Sequence, residues 1–237
     1  MKELLRDSLD KLSIDYDDDK LSKLIRFYEL IIEKNKVMNL TAITDGEEFV
    51  IKHFADSLAV INFISLTPGM KAADLGTGGG FPGVPLAVFY PEVRFVLIDS
   101  VKKKLNFISE AAEELEITNI ETLHGRAEDI GHSKEHREKY DLVFSRAVSN
   151  MSTLAELALG LVKSGGQFIA YKSGNSEAEI EEARKAVKLM GGELYSETSV
   201  LLPNSDIKRN FYFIRKVFPT PEKYPRKAGE PGRKPLK

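Results

Sequence analysis

Lys71-Ala72-Ala73-Asp74-Leu75-Gly76-Thr77-Gly78-Gly79-Gly80-Phe81-Pro82-Gly83 is the stretch that orders the rest of the chain. An apolar run ends in an acid, then Gly76, Gly78, Gly79 and Gly80 crowd together, and a helix-forming segment runs from Pro82 to Tyr90. This is the outline of a strand, a tight turn and a helix N-terminus. Such a turn lets a ligand approach the main chain, and the first turn of a helix offers unpaired N–H groups. A nucleotide-like cofactor suits that arrangement.

Downstream, strands are expected at Ala72–Leu75, Arg94–Ile98, Ile120–Leu123, Leu142–Ser145 and Gln167–Tyr171, with helices near 83–90, 101–115, 149–163 and 176–190. Strands and helices alternating at this spacing call for a mostly parallel sheet covered on both faces. The alternation then breaks: Glu193–Leu202 and Asn210–Val217 follow one another without a helix, as an antiparallel hairpin at the sheet edge. Upstream, Leu4, Leu5, Leu9 and Leu12 mark a short helix over 2–14. Asp17-Asp18-Asp19 caps a second helix with apolar positions Leu21, Leu24, Ile25, Tyr28, Ile31 and Ile32. A third begins at Asp45, with Glu48 in the capping-box position and an apolar face of Val50, Ile51, Phe54, Leu58 and Ile61. The expected organisation is a helical N-terminal segment over 1–66, an α/β domain over 67–218, and a tail over 219–237.

With 42% hydrophobic and 30% charged residues among 237, the chain has the make-up of a globular protein. It has no cysteine, which excludes disulfides, thiolate metal sites and a cysteine nucleophile. No apolar run reaches membrane-spanning length and no signal peptide is visible, so the expectation is a cytoplasmic protein. The net charge of −2 conceals an asymmetry. From Leu201 onward, Lys208, Arg209, Arg215, Lys216, Lys223, Arg226, Lys227, Arg233, Lys234 and Lys237 face only Asp206, Glu222 and Glu230. A basic end on an acidic body suits either a polyanionic partner or a solubilising tail. The five prolines between Pro219 and Pro235 lead us to expect an extended or disordered tail when free.

The glycine loop fits two templates. Gly78-x-Gly80-x-x-Gly83 matches a dinucleotide fingerprint, with Asp99 where a ribose-binding acid belongs. Asp74-x-Gly76-x-Gly78-x-Gly80 matches the acid-plus-glycine loop of S-adenosylmethionine-dependent methyltransferases, in which an acid ending the second strand, here Asp99, also grips the ribose. Three features favour the second. Asp74 suits a cofactor bearing ammonium and sulfonium charges. The terminal hairpin resembles the edge of the seven-stranded class I methyltransferase sheet. Gly125-Arg126-Ala127-Glu128-Asp129 follows the third strand, where such enzymes close over adenine. The bland alternatives are that Asp74 caps the turn and Asp99 the next helix.

Methyl transfer from a sulfonium is an in-line displacement that depends mainly on alignment. Pyrimidine C5 chemistry needs a cysteine, and exocyclic amines usually go with an Asn/Asp-Pro-Pro-aromatic loop where this chain reads Ser145-Arg146-Ala147-Val148. A ring nitrogen such as purine N7 loses no proton and fits a site without a general base. Arg146 and Lys172, at the carboxyl ends of the fourth and fifth strands, are the catalytic candidates, placed to steer a phosphate or meet a guanine edge. His132 and His136 have no third partner that would make a metal site.

The chain resembles, almost end to end, the bacterial ribosomal RNA small-subunit methyltransferase G family, also called the glucose-inhibited division protein B family. The resemblance rests on Asn39-Leu40-Thr41, His53-x-x-Asp56-Ser57-Leu58, the stretch Asp74 to Gly83 with its Gly80-Phe81-Pro82-Gly83 ending, Asp99-Ser100, Arg126-Ala127-Glu128, Ser145-Arg146-Ala147 and Tyr171-Lys172. It implies methyl transfer from S-adenosylmethionine to N7 of a guanine in 16S ribosomal RNA; separately, nothing in the sequence demands a second copy, so a monomer is expected. It also implies cofactor contacts at Gly76, Phe81, Ala127, Glu128 and Arg146. The glycine register adds Asp74, Gly78 and Gly80, and the general fold adds Asp99. His53 and Asp56 are expected to buttress the cofactor loop, and the tail to lie along RNA phosphates. The rival readings are an RNA-binding or assembly module without turnover and a dinucleotide-dependent oxidoreductase.

Overall fold

The computed structural model describes residues 1–146, 149–174 and 176–236. Ala147 and Val148 of the Ser-Arg-Ala segment, and Lys237 of the tail, lie outside the described residues. Seven strands form one sheet: β1 Lys71–Leu75, β2 Arg94–Asp99, β3 Ile120–His124, β4 Tyr140–Arg146, β5 Val162–Ser173, β6 Gly192–Leu201 and β7 Lys208–Lys216. Their order is β3-β2-β1-β4-β5-β7-β6. β1 to β5 are parallel, and β7 runs antiparallel to both β5 and β6. The strand order reverses at β1, so the crevice between the carboxyl ends of β1 and β4 is where a ligand site belongs in such a sheet.

Strand alternation sorts the core into two faces. Phe95 and Leu97 of β2 join one cluster with Phe144, Tyr171 and Phe211, whereas Val96 and Ile98 join the other with Val143, Phe168 and Ile214. The first face is covered by α1 (Lys2–Lys11), α2 (Asp18–Asn35), α5 (Gly83–Phe89) and α6 (Lys102–Glu114); the second by α8 (Met151–Leu159) and α9 (Glu177–Leu189). The N-terminal helices therefore share a continuous core with the sheet.

Local sequence explains these helices and where they depart from expectation. Asp17 caps α2 by accepting the Lys20 N–H at 2.8 Å. Its buried stripe is Leu21, Leu24, Phe27 and Ile31, so Phe27, absent from the apolar pattern above, takes the central inward place and Tyr28 sits at the margin. Asp45 caps α3 (Gly46–Phe49) through the N–H groups of Glu47 and Glu48. Glu48 turns to Lys52 at 2.7 Å. The expected single helix instead widens into a π-helical turn, Val50–Ala55, before α4 (Asp56–Leu58). Such turns often mark functional positions, and this one carries His53 and ends against Asp56, the first residue of α4. The helix expected to run to 163 ends at Leu159, because Val162 already pairs with Tyr140 as the start of β5. Along the outer strand, the pairing of β6 with β7 slips between Leu194 and Ser196.

The tail corrects a further expectation. It folds back onto the body, with Tyr224 and Thr220 buried, and contains a short helix, α10 (Glu230–Arg233). Its carbonyl groups find donors on the body: Arg137 binds Thr220 O and Tyr224 O, each at 2.7 Å. Arg226 meets the fully buried Glu156 of α8 with two nitrogens, its Nη2 lying 2.6 Å from Oε2. Outside α10 the proline-rich segment makes little backbone ladder of its own, so side chains of the body supply partners for its carbonyl groups.

Phe27 joins the helical segment to the glycine turn, its ring 5.6 Å from that of Phe81 and 6.2 Å from that of Phe107. Phe27→Ala should cost about 3–5 kcal/mol, read as a lowered denaturant midpoint with an unchanged m-value.

Candidate active site at the carboxyl ends of β1 and β4

The turn after β1 is fastened to β2, the Gly76 and Thr77 N–H groups both donating to Ile98 O. It closes on itself through Gly80 N–H and Phe81 N–H to Thr77 O. Gly80 has φ 101°, and a Cβ there would lie 2.8 Å from Val84 and 3.1 Å from Phe27. A Cβ on Gly83 would lie 2.8 Å from Asp74 Oδ2 and 2.9 Å from Leu97. These two glycines serve close packing beneath the turn.

Asp74 belongs to that packing. Its Oδ2 accepts from Thr77 Oγ1 at 2.7 Å and Gly83 N–H at 2.8 Å. Oδ1 is buried and has no hydrogen-bond partner among the described residues. Burial pushes its pKa up to about 6, against the pull of those two hydrogen bonds. The expectation that Asp74 faces a cationic cofactor is thus corrected: the carboxylate is inside, capping the turn. The helix N-terminus is likewise used internally. Gly83 N–H goes to Asp74 and Val84 N–H to Gly80 O, while Pro82 and Pro85 have none. The free amide in this turn, among the described residues, is that of Gly79.

Above the turn lies a cavity of about 500 Å³, within the roughly 300–1,000 Å³ usual for ligand sites. Gly76, Gly78, Gly79 and Phe81 form its floor, Asp99 and Ser100 one side, and Gly125, Arg126, Ala127 and Glu128 another. Asp99 accepts from Gly78 N–H at 2.9 Å through Oδ2 and from Val101 N–H at 2.8 Å through Oδ1. It therefore ties the turn to the start of α6 while facing the cavity. α7 (Ala127–Ile130) carries Glu128, whose Oε1 accepts from Gly229 N–H of the tail at 2.7 Å.

The lining also includes His53, Leu40 and Arg146, with Lys104 of α6 and Leu157 of α8. Arg146 Nη1 binds Asp56 Oδ2 at 2.7 Å and Lys52 O at 3.2 Å, and its guanidinium lies 5.3 Å from the Phe81 ring centre. Asp56 is fully buried and also takes the fork of Arg209 from β7, with Nη2 at 2.9 Å from Oδ2. One carboxylate thus serves two guanidinium groups, and the cluster keeps one positive charge. Arg146 Nη2 reaches His53 Nδ1 at 3.1 Å. Because a guanidinium only donates, Nδ1 is the acceptor and the proton sits on Nε2, which donates to Thr41 Oγ1 at 2.8 Å. Burial, then the neighbouring Arg146 charge, lowers the His53 pKa to about 3, so the ring is neutral. It stacks on Phe81 at 4.4 Å between centres. Asn35 holds the Leu40–Thr41 corner, its Oδ1 accepting from Leu40 N–H at 2.8 Å.

The structure brings Gly76, Gly78, Phe81, Asp99, Ala127, Glu128 and Arg146 to one cavity and leaves Asp74, Gly80 and Lys172 outside its lining. Lys172 donates to Ser149 O and Glu179 Oε1, each at 2.6 Å. It lies outside the cavity lining and ties Ser149, just ahead of α8, to Glu179 of α9. His132 turns to Pro225 O and His136 to Tyr140. No group of three His, Asp or Glu side chains placed to hold a metal ion occurs among the described residues. As site residues, sequence reasoning missed Gly79, Leu40, Thr77, His53, Ser100 and Arg126, although all lie in segments it had singled out; it also missed Lys104, Leu157 and Arg209, which no local motif marks.

Sheet order, edge hairpin and crevice define a class I methyltransferase fold. Solved structures agree on the fold: TrmN from Thermus thermophilus matches with a TM-score of 0.55 at 18% identity over 71% of this chain and 53% of that one. A 16S rRNA (adenine(1408)-N(1))-methyltransferase mutant with cosubstrate SAM from Catenulisporales acidiphilia matches with a TM-score of 0.53 at 12% identity over 64% of this chain and 87% of that one. Residues 20–208 match the model of the family described as GidB, rRNA small subunit methyltransferase G. Curated proteins named ribosomal RNA small subunit methyltransferase G match end to end. The one from Alkaliphilus oremlandii is 43% identical over 100% of this chain and 99% of its own length. That from Lachnoclostridium phytofermentans is 45% identical over 96% and 94%. The chain belongs to the rRNA small subunit methyltransferase G family.

Two outcomes test the site's electrostatics. Asp56→Ala leaves two buried cations without a partner and should cost about 3–5 kcal/mol, whereas Arg146→Ala, which leaves Asp56 paired with Arg209, should cost clearly less in the same denaturation experiment. Asp74 binds its proton more tightly folded than unfolded, so its contribution to stability should fall as pH rises from about 4 through about 6. The size is on the order of 3 kcal/mol, and Asp74→Asn should flatten that part of the pH–stability curve.

Proposed function

We propose that this chain transfers a methyl group from S-adenosylmethionine to N7 of a guanine in 16S ribosomal RNA, acting as a monomer. The observation that carries the reading is the cavity at the reversal point of the sheet, within a chain that matches this family over nearly its whole length. The residues present suit the cofactor. Gly79 N–H points to no protein acceptor among the described residues, a Cβ is absent along Gly76, Gly78 and Gly79, and Asp99 offers carboxylate lone pairs beside them. When bound, the cofactor supplies an electrophilic methyl group on a sulfonium.

Asp99 would hold the sugar hydroxyl groups, and Ala127 and Glu128 would flank the base. Phe81 and Arg146 form the wall nearest β4. Arg146, pinned by Asp56 and lying over Phe81, presents a fixed cation to an anionic group, either the cofactor carboxylate or a nucleotide phosphate. Guanine N7 attacks with a bare lone pair, so no proton has to be removed. That suits a site whose histidine spends its acceptor nitrogen on Arg146 and whose Asp74 is buried under the turn. The chain's contribution is alignment and charge placement. Among the described residues no helix is long and apolar enough to cross a membrane.

The test is to supply methyl-labelled S-adenosylmethionine and 16S ribosomal RNA and map the labelled base. Label in guanine as 7-methylguanosine is expected; cofactor and RNA binding without any label would favour a binding module instead. Asp99→Ala should raise the cofactor Kd roughly tenfold or more by calorimetry.

A further inference from the structure

The loop that forms one wall of the cavity is held from behind by the tail. Residues 125–128 face the cavity, and the segment that continues them to Glu138 is bonded to residues 220–229 at successive points. Glu138 Oε1 accepts from Thr220 N–H at 2.7 Å. Arg137 binds three tail carbonyl groups as well as Gly131 O. His132 Nε2 lies 2.7 Å from Pro225 O, and a Cβ on Gly131 would lie 2.8 Å from the Pro225 ring. The last of these links is Gly229 N–H to Glu128 Oε1 at 2.7 Å. Here the tail touches a side chain that itself lines the cavity.

The tail in turn has its own anchor. Arg226 pairs through two nitrogens with Glu156, which is 0% exposed, and Arg226 N–H donates to the same carboxylate at 2.7 Å. Thr153 Oγ1 adds a bond to Pro231 O. A buried, bidentate, charge-assisted pair is geometrically demanding, so it fixes where Gly229 stands relative to α8. The path from Glu156 to Glu128 is short: a hydrogen-bonded ion pair to Arg226, the main chain from Arg226 to Gly229, and a hydrogen bond from Gly229.

We infer that the C-terminal segment 219–236 is a positioning element for the nucleoside end of the cavity: Arg226 and Gly229 are positioning residues that set the Glu128 loop before any ligand arrives. Gly229 occupies one oxygen of Glu128 and leaves the other for the cavity. The inference rests on the reading above only in naming an adenosine moiety as what the loop meets. It differs from the sequence-based expectation that the tail lies along RNA phosphates, since the tail's best-placed cation, Arg226, is spent on Glu156.

The experiment uses the full chain with Arg226→Gln and, separately, Glu128→Ala, which removes the acceptor of the Gly229 N–H while leaving Glu156 paired. Amide hydrogen exchange of residues 125–131 is followed without ligand, with amides of β1 and β4 as the internal reference. S-adenosylhomocysteine affinity is measured by calorimetry, and affinity for a 16S RNA fragment across a salt series. Both variants should speed exchange at 125–131 about tenfold with the reference unchanged, and weaken S-adenosylhomocysteine about tenfold, while the RNA salt slope stays as in wild type. If Arg226→Gln loosens the whole sheet, the exchange result in Glu128→Ala decides alone. Unchanged exchange at 125–131 in Glu128→Ala overturns the inference, as does a loss confined to RNA binding in Arg226→Gln. Failure of the wild-type chain to bind S-adenosylhomocysteine would overturn the functional reading instead, with the exchange result still deciding the role of the tail.

Discussion

One buried carboxylate holds three distant parts of this chain together. Asp56, on the irregular third helix, receives Arg146 from the end of β4 and Arg209 from the start of β7. Two guanidinium groups stripped of water would be intolerable without it, and a carboxylate in the same place would be costly without them. The cluster depends on its one carboxylate, and it forms only when the helical segment, the parallel strands and the edge hairpin are in register. The π-helical turn carries His53 and leads directly into Asp56, and both side chains meet Arg146 at the end of β4.

From that cluster the cavity wall follows. Arg146 is directed over Phe81; Phe81 is sandwiched by His53 and packed by Phe27, Phe49 and Phe54. His53 cannot take a proton in the ordinary pH range, so its hydrogen-bond directions are fixed. A site whose chemistry is alignment profits from walls with one arrangement. Under the opposite wall, Asp74 performs the same service for the glycine turn, with its second oxygen left buried and unpartnered among the described residues.

Much of this was legible in the sequence because it is local. Strand–helix alternation, the caps at Asp17 and Asp45, the glycine turn and the edge hairpin all follow from patterns spanning a few residues. Asp99 at the end of β2 could be placed because a parallel strand of known start must end there. What could not be read is non-local. Nothing near Arg209 marks it as a partner for Asp56, 153 positions away. Lys172 has the right strand-end address, but Glu179, one helical turn into α9, claims it. Asp74 was seen as an acid near a cofactor loop; its direction is decided by the room that Gly83 leaves beneath the turn. The proline-rich tail carries the composition of a free segment, and only the acceptors and donors of α8 and the α7 loop show that it is docked.

The slip in pairing along the outermost strand has a consequence for how this molecule meets its own kind. β6 carries Glu193 and Glu197 exposed on a rim whose backbone steps out of line between Leu194 and Ser196. An incoming strand would find the ladder broken and acidic groups in its path. The open rim thus gives no template for stacking chain upon chain, and a crowded solution of the folded protein should stay fluid at that border.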